Sequence, residues 1–199
     1  MNDQKELFRC FIAIDLPERI KTIISDMVMV VKKDFSLPIR WVKEENYHIT
    51  LKFLAEISQN RIDRIKSFMK DLERDRILFS MNIEEAGVFP PKGAPRVVWL
   101  GFKEATGNLI RIFKTLDGSL KRIGFKPEKR DFKPHITLAR IKYLKQDEGN
   151  EFYALLNRLK EKAIGYAERQ FSINSLTLFK SELTPQGSVY SRLFEVTGP

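Results

Sequence analysis

The chain is poor in the side chains that carry most enzyme chemistry. In 199 residues it has one cysteine, Cys10, and two histidines, His48 and His135. A lone thiol closes no disulfide within the chain, which excludes a disulfide-stapled scaffold. Its place in the apolar run Phe8 to Ile14 predicts a buried, small apolar side chain. Two histidines 87 positions apart, with no cysteine cluster and no HExxH pattern, make a poor zinc site, so no metal is expected. GxSxG, Walker A and GxGxxG sequences are all missing, which leaves no sign of a serine-hydrolase elbow or a nucleotide-phosphate loop, and no cofactor is expected. No apolar run approaches the roughly 20 residues needed to span a bilayer, and Met1 to Glu6 is charged. The expectation is a cytoplasmic protein without membrane association.

The remaining composition is that of a folded protein, 43% hydrophobic and 31% charged, which excludes a disordered chain. Thirty-five Lys and Arg against 26 Asp and Glu leave a formal charge of +9, a balance that favours polyanionic partners. Residues 8–14 predict a buried strand, and Asp15-Leu16-Pro17-Glu18 then reads as a helix start. Ile20, Ile23, Ile24, Met27, Val28 and Val31 fall on one face of a 3.6-residue helix. Strands are predicted at 39–42 and 47–54, a helix on Ile62, Ile65, Met69 and Leu72, and a strand over 77–86. The loop FPPKGAP at 89–95 interrupts the pattern. After it come a strand at 96–102, a helix on Leu109, Ile110, Phe113, Leu116 and Leu120, and a strand at 135–139. A helix on Phe152, Leu155, Leu156, Leu159 and Ala163 follows, then strands at 170–179 and 189–196 joined by a Pro185–Gly187 turn.

The two halves share an order: strand, helix, histidine-bearing strand, helix, strand. They also share a tetrapeptide, His48-Ile49-Thr50-Leu51 and His135-Ile136-Thr137-Leu138. A single His-x-Thr in an apolar strand is ordinarily structural; two at matching places, using every histidine in the chain, favour chemistry. Alternation in a strand puts His48 with Thr50 on one face and His135 with Thr137 on another, leaving the apolar pair of each motif for a core. The pattern predicts an α+β fold, a single bilobal domain over 1–199 with approximate halves 1–88 and 96–199. Its pseudo-symmetric lobes, antiparallel sheets with outer helices, would flank a central groove. Two imidazoles, one neutral and one charged, suit acid–base displacement at phosphorus, with hydroxyls and cations holding phosphate oxygens. Spacing alone does not order the two histidines.

These residues resemble the 2H phosphoesterase superfamily, whose mark is a pair of His-x-Thr-x motifs. RCFIAIDLP, RWVKEENYHITLKFLAE, PRVVWLG, FKPHITLAR and SELTPQGSVY are similar, in order, to the RNA 2′,3′-cyclic phosphodiesterases, also called 2′-5′ RNA ligases. Two departures stand out: Ala55 where a glycine is common, and Asp131 where a proline is common. The resemblance implies hydrolysis of RNA 2′,3′-cyclic phosphate ends to 2′-phosphates, with ATP-independent 2′-5′ ligation as a second activity. It implies His48 as proton donor, His135 as proton acceptor, and Thr50, Thr137 and Arg140 as phosphate-binding. Strict alternation puts Arg140 opposite to His135, so its role requires a strand end or a bulge. Lys52 has the parity of His48 and, with Arg130 and Lys133, is a candidate RNA contact; Trp41, Phe132 and Tyr190 are candidate base-stacking groups. The expected partners are RNA ends, tRNA fragments among them, and the expected state is a monomer. Two alternatives stay open: a 2H enzyme for small cyclic nucleotides or 2′-5′ oligonucleotides, and a nucleotide- or RNA-binding module without turnover.

Overall fold

The computed structural model describes residues 6–72, 77–166, 170–185 and 187–198. The first five residues of the charged start, and Gln186 of the predicted turn, lie outside the described residues. The elements run β1 (Leu7–Asp15), α1 (Glu18–Lys32), β2 (Ile39–Trp41), β3 (His48–Ser58), α2 (Gln59–Leu72) and β4 (Phe79–Phe89). After the Pro/Gly loop come β5 (Val97–Glu104), α3 (Asn108–Arg122), β6 (His135–Ile141), α4 (Gly149–Gly165), β7 (Gln170–Ile173), β8 (Ser175–Thr184) and β9 (Gly187–Thr197). Helix periodicity and strand alternation thus place the elements closely. One expectation fails: the strand predicted over 170–179 is two strands, broken at Asn174, whose carbonyl accepts a bond from the Gly198 amide.

All strands pair antiparallel, in two sheets ordered β3-β1-β8-β9 and β2-β6-β5-β4-β7. Neither sheet belongs to one half of the sequence. The run β3-β1-β8 in the first repeats as β6-β5-β4 in the second, and in each case the third strand comes from the other half. β4 reaches the second sheet because a short loop folds it back on β5, and β8 returns to the first to pair with β1. The split at Asn174 belongs to this exchange: β7 stays with β4 while β8 crosses over.

One continuous core joins the helix-facing sides of both sheets. Ile12, Ile14 and Ile49 from one, Leu100, Ile136 and Leu138 from the other, and Ile24, Ile65, Leu116 and Leu159 from the four helices are all fully buried. Each such side chain contributes about 2 kcal/mol by leaving water. Cys10 is buried there too, and burial pushes its thiol up to about 11. Helix α2 packs on β3, β9 and α3, while α4 packs on β4 and α1. A small separate cluster of Phe11, Ala13, Phe179 and Tyr190 marks the opposite face of the first sheet. The two histidine strands, β3 and β6, approach each other where the sheets meet.

Candidate active site

Each histidine opens its strand, and each is fixed in the same way. His48 Nδ1 lies 2.8 Å from the Asn46 carbonyl and His135 Nδ1 lies 2.7 Å from the Lys133 carbonyl. A carbonyl only accepts, so Nδ1 carries the proton in both rings and Nε2 is left for other chemistry. Asn46 is itself held, its side-chain amide donating to the Ser188 carbonyl at 3.0 Å across to β9.

In β3, His48 pairs with Asp15 and Thr50 with Ala13; then a bulge at Leu51 inserts one residue, so Lys52 pairs with Ile12 and Phe53 with Phe11. In β6, His135 pairs with Gly101 and Thr137 with Trp99; then a bulge at Leu138 intervenes, so Ala139 pairs with Val98 and Arg140 with Val97. Because Gly101, Trp99 and Val97 alternate onto one face, Arg140 shares the face of His135 and Thr137. The required bulge is present, and it has a twin in the other sheet.

The twin bulge reverses the expectation for Lys52. It turns the side chain onto the face of Ile12, where the ammonium is buried, bonding Asp117 at 2.6 Å and the Lys126 carbonyl at 2.7 Å. Lys52 is therefore spent on tying β3 to α3 and to the loop that leads into β6. Phe53 takes the groove-facing position instead and is two-thirds exposed. Trp41 pairs with the buried Ala139, on the core side, and Phe132 stacks on Phe113 of α3 with centroids 4.5 Å apart, so neither faces the histidines. Tyr190 does: its ring meets His48 edge-on at 5.2 Å. Arg130 and Lys133 are exposed in the segment entering β6, and the Lys133 carbonyl is the one that holds His135.

Groups without a motif complete the site. Asp15 accepts from Lys21, 2.8 Å away and almost wholly buried, and from Arg192. Burial alone would lower the Lys21 amine, but its bonds to Asp15 and Glu18 hold it above the ordinary value. Phe11 lies beneath His48 with centroids 4.7 Å apart. On the second sheet, Trp99 stacks on Phe89 and meets His135 at 6.2 Å. A Cβ at Gly87 would fall 2.3 Å from the indole and one at Gly101 2.9 Å, so the two glycines make room for that ring. Each histidine thus has aromatic neighbours on its own sheet, Phe11 and Tyr190 for His48, Phe89 and Trp99 for His135, with Arg140 on the face of His135.

Burial pushes the His48 imidazole down to about 4; its carbonyl bond and Asp15 oppose the shift, while Lys21 and Arg140 add to it. His135 is also held below its ordinary value by burial, against the opposing Lys133 carbonyl. Both rings therefore favour the neutral form near neutral pH. An anion placed between them would neutralise Arg140 and favour an imidazolium. Among the described residues there is no group of three His, Cys, Asp or Glu side chains placed to hold a metal ion.

Two antiparallel sheets, each carrying a His-x-Thr strand into one groove, define the phosphoesterase class called 2H. The LigT-like phosphoesterase model matches residues 14–99 and 100–190, and the chain belongs to that family. It is 32% identical over 188 residues to the RNA 2′,3′-cyclic phosphodiesterase of Methanocaldococcus jannaschii, covering 94% of this chain and 99% of the relative. It is 35% identical to the protein of the same name from Thermotoga maritima, covering 94% of each. The fold matches that of TT0787 of Thermus thermophilus with a TM-score of 0.73 at 25% identity, over 95% of this chain and 97% of the other. Escherichia coli LigT complexed with 3′-AMP matches at 0.72 and 24% identity, over 97% and 99%. The chain is a phosphoesterase by family, and its helices include none long and apolar enough to cross a membrane among the described residues.

Proposed function

We propose that this phosphoesterase hydrolyses 2′,3′-cyclic phosphate ends of RNA to 2′-phosphates by acid–base chemistry at His48 and His135. The observation that carries this is the matched pair of imidazoles, each tied through Nδ1 to a carbonyl two residues earlier and each followed by a threonine on the same face. A binding module needs no such pair of opposed proton carriers. In the reaction, water attacks phosphorus and gives its proton to His135 Nε2 as the P–O3′ bond breaks. The departing 3′ oxygen takes a proton from His48 Nε2, and exchange with solvent resets both rings. Thr50, Thr137 and Arg140 hold the non-bridging oxygens, where charge develops.

His48 suits the donor role because Asp15, directly across the ladder, favours its charged form once the substrate's own charge offsets Arg140. A 5′-hydroxyl in place of water would form a 2′-5′ linkage from the same geometry, driven by the strained ring and without ATP. The names of the relatives at 32% and 35% identity support the RNA substrate, as does the formal +9 charge. The test is to incubate the protein with an oligoribonucleotide ending in a 2′,3′-cyclic phosphate and, separately, with a nucleoside 2′,3′-cyclic phosphate. A 2′-phosphate product on the oligonucleotide is expected. A 3′-phosphate, turnover of the nucleoside alone, or binding without turnover would refute the reading.

A further inference from the structure

Arg40 stands directly opposite Arg140 in the β2–β6 ladder, so both side chains leave the sheet on the groove side. Both are exposed, and neither has an ion-pair partner among the described residues. Like charges directly opposite each other destabilise an antiparallel pair, so the arrangement is costly in itself and an anion between them would relieve it. Arg40 also reaches the other sheet. Its guanidinium lies against the β8–β9 turn of the other sheet, where a Cβ on Gly187 would come within 3.1 Å of Nη2. Gly187 has a φ of +132°, a conformation that favours glycine, and glycine there leaves room for the arginine.

The two arginines are not redundant. A cyclic phosphate end carries one negative charge, and in the reading above Arg140, Thr50, Thr137 and a histidine already face it. Arg140 is the inner of the pair, close enough to His48 to depress its pKa. Arg40 lies one strand further out, on the edge strand of its sheet. We infer that Arg40 binds the phosphodiester adjoining the reacting end, on its 5′ side, so that the groove selects an RNA chain over a mononucleotide. This rests on the cyclic-phosphate reading and adds to it the contact that distinguishes a polymer.

The test compares wild type, Arg40→Ala and Arg40→Lys on two substrates, a short oligoribonucleotide with a 2′,3′-cyclic phosphate end and the corresponding nucleoside 2′,3′-cyclic phosphate. Arg40→Ala is expected to reduce the ratio of kcat/KM values, oligonucleotide over nucleoside, about tenfold. It should also shallow the salt dependence of oligonucleotide binding by about one phosphate contact, with Arg40→Lys intermediate. An unchanged ratio, whether both substrates suffer equally or neither does, would overturn the inference. Fluorescence anisotropy with an oligonucleotide ending in a 2′-phosphate reads the same contact without turnover: equal affinity of wild type and Arg40→Ala would overturn it as well. An enzyme that bound this product but opened no cyclic end would instead refute the proposed reaction.

Discussion

Asp15 stands directly across from His48 in the β1–β3 ladder, and it is anchored there by the buried Lys21 on one side and Arg192 on the other. The last residue of β1 thereby favours the charged form of the first residue of β3, against burial, Lys21 and Arg140.

Asp15→Asn removes the one carboxylate that favours imidazolium at His48 and leaves Lys21 buried with only Glu18 as a partner. The His48 pKa should fall further and the fraction of donor-competent enzyme with it. Since one pKa unit corresponds to a factor of ten in protonation, a loss of roughly tenfold or more in kcat/KM is expected. The alkaline limb of its pH profile should move to lower pH. A loss of activity with no displacement of that limb would mean that Asp15 acts on stability alone.

Because burial pushes His48 down to about 4, anion binding should be coupled to proton uptake. The charged ring attracts the anion, so the bound-state pKa lies above the free one. Affinity is then greatest at or below about pH 4 and weakens as pH rises through the bound-state value. Calorimetric titration with sulfate, which does not itself titrate in this range, in two buffers of different ionisation enthalpy should show net proton uptake near pH 6. For folding the sign is opposite: the unfolded chain binds the proton more readily between about 6.5 and 4, so His48 lowers stability as pH falls through that window. Part of that slope should vanish in His48→Gln.

Lys52→Ala should act through stability rather than through RNA. It leaves Asp117 largely buried without its cation and frees the Lys126 carbonyl, an expected cost of about 2–4 kcal/mol. Thermal or urea unfolding reads this directly. The oligonucleotide-to-nucleoside preference should hold in the folded fraction; a selective fall in RNA affinity without lost stability would restore the lysine as an RNA contact.

Much of the fold was legible in the sequence because helix and strand periods are local. So were the four groups of the His-x-Thr pairs, whose spacing of two survives any later irregularity in the strand. What stayed hidden depends on the partner strand. The bulges at Leu51 and Leu138 fall on the last residue of the two identical tetrapeptides and have no signature residue of their own, yet they send Lys52 into the core and bring Arg140 and Phe53 into the groove. The exchange of β4 and β8 between sheets is likewise a matter of pairing, as is the opposition of Arg40 to Arg140. Asp15 read only as part of a helix start, because nothing in its own neighbourhood reports what lies across the ladder.

Ala55 was visible as a departure from the family pattern, and the structure supplies its cost. It has a φ of 57°, in the left-handed region, next to the second register shift of β3. Ala55→Gly removes the Cβ clash there, at the expense of a more flexible unfolded chain. A net stabilisation of about 0.5–1 kcal/mol is expected, with activity retained, and denaturant titration checks it.

In the proposed reaction both histidines carry protons. The direct measurement is turnover of an oligoribonucleotide ending in a 2′,3′-cyclic phosphate, in EDTA, by wild type, His48→Ala and His135→Ala, each first verified as folded. Wild type should yield the 2′-phosphate, and each variant should lose about 10²-fold or more of the rate. Near-normal turnover by either variant, or loss of wild-type turnover in EDTA, would contradict the account.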